Sequence, residues 1–144
     1  MKHKITYKPF GDAAILVAWD AEISVSISDD ILEFQQKIKA LKEGNIADVI
    51  IGYSSLTVVF KNSRIDYLSV VKNLKQLHSS EYKGVKKTPI IWEVPVCYDL
   101  EFGVDLQEMA NKANLEVSEI VKLHSQKRYR VYFIGFLPGF LYLG

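Results

Sequence analysis

Residues 47–60 read ADVIIGYSSLTVVF. Two runs rich in β-branched and apolar residues, Ala47–Ile51 and Leu56–Phe60, flank Gly52-Tyr-Ser-Ser55. Glycine and serine favour turns, so the stretch predicts two strands joined by a short link. Immediately upstream, Ile27, Ile31, Phe34, Ile38 and Leu41 recur at steps of four and three and make one helical stripe. Ser28, Asp29 and Asp30 stand near the start of that helix and Lys37, Lys39 and Lys42 near its end, matching the helix dipole, with Gly44-Asn45 as the stop.

Further out on each side the pattern continues. Ala13–Trp19 is a short apolar run set off by Gly11-Asp12 and reads as a buried strand. After the central pair, a second amphipathic helix is predicted from Ile65 to Leu77, with Tyr67, Val70, Val71, Leu74 and Leu77 facing inward. Ser79–Thr88 is polar and lysine-rich and contains Gly84, so it reads as a linker or exposed loop. Pro89–Val96 then begins a new strand. The order strand, helix, strand, strand, helix, strand is the split βαβ, ferredoxin-like arrangement of an α+β protein. The pattern lets the last strand either close this sheet or open a second module. The linker before it favours the second choice, dividing the chain into residues 1–86 and 87–144. Beyond, Asp105 and Glu108 have capping-box spacing for a helix through Ala113, Ser118 stands as N-cap of another over Val117–Leu123, and Tyr129–Ile134 is a strand.

Composition narrows the function classes. Of 144 residues, 49% are hydrophobic and 24% charged, and the net charge is +1. That is a globular balance with no field to attract nucleic acid or anionic lipid. The one cysteine, Cys97, permits no intrachain disulfide and suits a reducing, cytoplasmic address. The basic N-terminus lacks a signal peptide's apolar run, and Val131–Gly144 is well short of the ~20 residues a spanning helix needs. Three scattered histidines and one cysteine make no metal-ligand spacing, and there is no Gly-rich loop of the P-loop type.

Several residues are candidates for chemistry. Leu137-Pro138-Gly139-Phe140 predicts a type II turn, since proline presets φ at the second position and glycine accepts positive φ at the third. Gly135 and Gly139 leave backbone N–H groups uncovered, able to hold an anion or carbonyl oxygen, and Phe136, Phe140 and Tyr142 could wall a pocket. The alternative is a plain hairpin with core aromatics. His124, in the last turn of a helix, suits a general base, although the dipole alone also favours a histidine there. Tyr98 and Asp99 lie where a strand emerges, a common place for a binding site. Cys97 is expected to be a buried, inert thiol, and His3 and His78 surface residues. Gly11, Asp12, Tyr53 and Ser55 are turn residues first and partner contacts second.

Several of these segments together resemble the family of 5-oxoprolinase B subunits, which also covers KipI-like kinase inhibitors and allophanate hydrolase subunit 1. They are Phe10-Gly-Asp12, Tyr53-Ser-Ser-Leu56, Val94-Pro-Val-Cys-Tyr-Asp99 with Glu101-Phe-Gly103, Leu123-His-Ser125, Tyr129-x-Val131 and Gly135-Phe-Leu-Pro-Gly-Phe-Leu-Tyr-Leu143. The likeness spans nearly the whole chain, and the last block is the specific one. It implies a small α/β domain followed by the start of a cyclophilin-like β-barrel domain, cut short here because relatives continue for roughly another hundred residues. It also implies partner subunits of A and C type, the pair with one of them forming halves of a carboxyltransferase-type domain, and ATP-driven opening of 5-oxoproline to glutamate. The resemblance leaves open whether a partner holds the ATP. A relative of the inhibitor kind would instead bind a sensor histidine kinase. On matching positions, His124 is the candidate acid/base, Tyr98 and Asp99 orient it or the substrate, and the Gly135–Gly139 loop supplies N–H donors. Relatives carry proline and a small residue where this chain has Ile51-Gly52. Because Val131–Gly144 is uncharged and apolar, the chain is expected to self-associate or to pack this tail on its first module.

Overall fold

A computed structural model describes residues 3–81, 84, 88–135 and 139–144. The chain clusters into two compact units, Met1–Val85 with Arg130–Gly144, and Lys86–Tyr129.

The first unit is built on a four-stranded antiparallel sheet of order β1-β2-β4-β3. Its strands are β1 (Thr6–Pro9), β2 (Ala14–Ala18), β3 (Ile46–Ile51) and β4 (Ser55–Phe60). Alternation sets the buried face: Ile15 and Val17 on β2 and Leu56, Val58 and Phe60 on β4 all point to one side. Register pairs Ile15 with Val58 and Val17 with Leu56, so these side chains meet across the strands. Two helices cover that face, α1 (Val25–Ala40) and α2 (Tyr67–Ser79), delivering Ile27, Ile31, Phe34 and Ile38 from the first and Val71 and Leu74 from the second. The predicted stripe of α1 is thus the core stripe, save that Leu41 lies past the helix end and is exposed.

The sheet differs from expectation at one edge. The fourth strand is β1, ahead of the expected first strand, and residues 88–98 carry no regular strand. Chain connectivity explains the choice. β1 reaches β2 through a turn in which Gly11 takes φ +65° and the Phe10 N–H donates to the Ala14 carbonyl at 2.9 Å, a short closure of low entropic cost. Pro89 and Pro95 lack the N–H groups that a ladder consumes. The observed order is therefore ββαββα where βαββαβ was expected.

The apolar tail forms a hairpin, β5 (Val131–Gly135) with β6 (Phe140–Leu143), and clusters with the first unit. The second unit holds α3 (Leu106–Ala113) and α4 (Val117–Gln126). Asn114 ends α3 in the left-handed conformation, φ +53°, with its N–H donating to the Ala110 and Asn111 carbonyls. The expected caps differ. Asp105 makes no side-chain cap, and α4 starts after Glu116, whose N–H donates to the Glu119 carboxylate at 2.9 Å, not after Ser118. Among the described residues no helix is long and apolar enough to cross a membrane.

Candidate functional site

In the second unit, one helix end and one extended segment bring together two of the sequence-predicted residues, His124 and Tyr98. α4 carries His124 in its last turn, where the helix dipole favours a ring able to become cationic. The Tyr98 hydroxyl lies 2.5 Å from His124 Nδ1, and the two rings meet edge to face with centroids 5.8 Å apart. Tyr129 stands on the same imidazole, centroid to centroid 5.6 Å, and the Lys127 ammonium lies over the Tyr129 ring at 5.1 Å. His124 is thus oriented through Nδ1 and flanked by two tyrosine rings, while among the described residues nothing hydrogen-bonds Nε2.

The arrangement has a definite chemical capacity. A phenol both donates and accepts, so Tyr98 can meet Nδ1 in either tautomer of the ring. With Nδ1 accepting, Nε2 carries the proton and can only donate a hydrogen bond. With Nδ1 donating, Nε2 is a base. Proton uptake at Nε2 then gives the imidazolium, the acid form, with Nδ1 still donating to the Tyr98 oxygen.

Asp99 is not part of that contact. Its Oδ2 accepts from the Cys97 thiol at 3.4 Å, and its carbonyl accepts from the N–H groups of Phe102 and Gly103, each at 2.8 Å. Its role here is to fold the turn that follows Tyr98, and a Cβ on Gly103 in that turn would run into the Leu106 side chain. Cys97, expected buried, is exposed. An extended segment without a strand partner has no interior in which to hide a thiol.

In the first unit, Gly139 adopts φ +93°, the conformation asked of the third position of a type II turn, and Gly135 ends β5. Phe140 is exposed and meets Tyr142 edge to face at 5.0 Å. Phe136 and Pro138, expected to line this loop, lie outside the described residues. Gly11 and Asp12 form the exposed β1–β2 turn. Ser55 opens β4, its carbonyl accepting from the Gly52 N–H at 2.8 Å. Tyr53 turns toward the hairpin, with its hydroxyl donating to the Leu143 carbonyl at 3.0 Å.

A polar cluster in the first unit escaped the sequence reading. Asp30 Oδ2 accepts from Trp19 Nε1 at 2.7 Å, and Oδ1 lies 3.0 Å from His78 Nε2. The His78 ring packs edge-on against Phe34, with centroids 4.9 Å apart, and against Trp19 at 6.1 Å. Burial pushes the Asp30 carboxyl up. Hydrogen bonds from His78 and Trp19, with the charges of His78 and His3, outweigh that and leave it below the usual aspartate value. Burial, helped by the Asp30 charge, pushes the nearby Tyr7 phenol up to about 12. The signal for His78 was present: it follows Val71 and Leu74 at steps of three and four, on the inward stripe of α2.

Comparison with known proteins places this chain among named relatives. A family model described as carboxyltransferase domain, subdomain C and D, matches residues 5–144. The 5-oxoprolinase B subunit of Bacillus subtilis (strain 168) is 31% identical, over 93% of this chain and 60% of that protein. The same-named subunit of Haemophilus influenzae is 30% identical, over 94% of this chain and 62% of that protein. The chain therefore spans about three fifths of the length of these relatives. Among solved structures, TTHA0988 superposes with a TM-score of 0.71 at 24% identity, over 90% of this chain and 25% of that one, a likeness of fold. The chain belongs to the family of the carboxyltransferase domain, subdomain C and D, together with the 5-oxoprolinase B subunits.

Proposed function

We propose that this chain is the B-type component of an ATP-dependent 5-oxoprolinase, which opens the lactam of 5-oxo-L-proline to L-glutamate together with A- and C-type partner subunits. The observation that carries the chemical part is the Tyr98 hydroxyl 2.5 Å from His124 Nδ1, in a chain of which 93% is similar to a 5-oxoprolinase B subunit. In domain terms the reading takes residues 1–86 as a ferredoxin-like domain with a replaced edge strand and 87–144 as the opening part of a cyclophilin-like domain. Self-association of the chain through its uncovered apolar segments belongs to the same reading.

Opening a lactam requires a more electrophilic ring carbon, a nucleophilic water and a proton for the departing nitrogen. ATP, held by this chain or by a partner subunit, would supply the first of these by phosphorylating the carbonyl oxygen. His124 Nε2 takes the water proton and returns it to the lactam ring nitrogen as the C–N bond breaks, with the Tyr98 oxygen accepting from Nδ1 throughout. A second water then hydrolyses the resulting acyl phosphate to glutamate and inorganic phosphate. Taken separately, the N–H groups at Gly135 and Gly139 in the first unit are donors able to hold an anionic oxygen. Asp99 shapes the turn that presents Tyr98.

Coexpression with the partner subunits and measurement of 5-oxoproline-dependent ATP hydrolysis tests this. His124→Ala is expected to lower kcat by roughly 10²–10⁴-fold with the assembly intact on gel filtration. Undiminished turnover in that variant refutes the acid/base role. Inhibition of a sensor histidine kinase by this protein alone, without lactam-dependent hydrolysis in the assembly, would replace the enzyme reading with a regulatory one.

A further inference from the structure

Two motifs that lie far apart in the sequence, the Tyr53 turn and the hairpin from Val131 to Leu143, are a single structural feature of the first unit. Tyr53 projects from the β3–β4 connection, a turn closed by the Gly52 N–H on the Ser55 carbonyl at 2.8 Å and tied to β2 by the Trp19 N–H on the Ser54 carbonyl at 2.9 Å. The Tyr53 ring meets Phe133 at 5.1 Å and Tyr142 at 6.0 Å, inclined 80° and 81°, and Tyr132 at 5.3 Å. Phe133 and Tyr142 stack on each other across the hairpin at 4.1 Å and 16°, so Tyr53 abuts a two-ring platform. Its hydroxyl completes the contact on the Leu143 carbonyl.

The open end of the hairpin is held separately. Arg130 and Gly144 exchange backbone hydrogen bonds at 3.0 and 3.1 Å, and the Arg130 guanidinium donates to Ser28 Oγ at 3.3 Å and to Asp29 Oδ1 at 2.5 Å on α1. A two-stranded hairpin is marginal alone. Its placement is therefore decided by what grips it. Arg130 fixes one end, and the tyrosine fixes the ring platform on the way to Gly135 and Gly139.

We propose that Tyr53 is a positioning residue: it sets the seat of the β5–β6 hairpin on the sheet and thereby the location of the Gly135 and Gly139 N–H groups. The catalytic half of this statement rests on the function proposed above, and the anchoring half rests on the contacts alone.

Hydrogen exchange on the full chain separates the halves. Tyr53→Leu is expected to raise exchange at the β5 and β6 amides by about tenfold, in line with the strength of an aromatic pair, with β2 and β4 amides unchanged. Tyr53→Phe, which keeps the rings and removes the hydroxyl bond, is expected to raise it by a few-fold only. Unchanged hairpin exchange in Tyr53→Leu overturns the anchoring. A rise spread evenly over the sheet overturns it too, because Tyr53 would then be a general stability residue. In the assembly with partner subunits, kcat for 5-oxoproline-dependent ATP hydrolysis is expected to fall in Tyr53→Leu and to recover in Tyr53→Phe. A loosened hairpin with wild-type kcat overturns the positioning role and leaves the proposed function standing. An inactive wild-type assembly counts against the proposed function and leaves the anchor to be judged by exchange.

Discussion

Asp30 shows how much one side chain can settle. It takes a hydrogen bond from Trp19 on the loop after β2 and faces His78 at the end of α2, so it joins three elements through two oxygens. Its folded pKa is depressed, so its contribution to stability is present above the unfolded value, near 3.9, and is lost as pH falls through the folded value. Asp30→Asn is expected to cost about 1–3 kcal/mol at neutral pH, the strength of hydrogen bonds to a charged group. Urea titrations at neutral pH and near pH 3 measure the difference, which should shrink in acid; an unchanged gap contradicts the electrostatic account. His124 could be singled out from sequence because a histidine in a helix's last turn is visible as such. Its pairing with Tyr98 could not, since the two stand 26 positions apart.

Among the elements, helix ends are the most informative. α2 is closed at both termini by side chains from different sources. Asp66 accepts from the Ser69 N–H at 3.3 Å as N-cap, while Lys37 of α1, only 7% exposed, donates to the His78 and Ser80 carbonyls at 3.0 and 2.6 Å. Glu33 pairs the same ammonium at 3.0 Å, which makes its burial tolerable. Asp66→Ala should cost about 1 kcal/mol. Lys37→Met should cost about 1–3 kcal/mol, because it leaves two carbonyls and a carboxylate without their donor. Thermal unfolding of the two variants ranks them, and a neutral Lys37→Met would show that water replaces the ammonium freely. Gly139→Ala belongs to this scale as well. At φ +93° a side chain strains the turn by about 1–3 kcal/mol, expected as faster proteolysis within the hairpin and not elsewhere.

For the molecule as a whole, exposed apolar surface in the second unit is the dominant fact. Ile90, Ile91, Trp92, Val94 and Val96 are exposed close together along the chain, and among the unit's described hydrophobic side chains only Leu106 and Ala110 are buried. Exposed apolar side chains in such number make this segment a candidate contact surface. The chain's two tryptophans make this measurable, since Trp92 is 80% exposed and Trp19 is 5% exposed. Iodide is expected to quench Trp92 in the dilute chain and to lose that access when partner subunits bind or when the chain self-associates, which light scattering on a gel-filtration column would follow. Quenching that persists undiminished in the assembly would rule out this segment as contact surface.

Sequence by itself determined the α+β class, three strands to within a residue or so of their ends (Ala13–Trp19, Ala47–Ile51 and Leu56–Phe60), and the inward stripes of α1 and α2. Those are local matters, set by periods of 2 and 3.6 that any window of the chain displays. Only the tertiary structure decided which segment supplies the fourth strand, where Lys37 and His78 place their polar atoms, and that Tyr53 meets the hairpin. Each of these is a choice of partner between distant segments, and it is made by loop closure, register and competition for hydrogen bonds, none of which leaves a periodic trace.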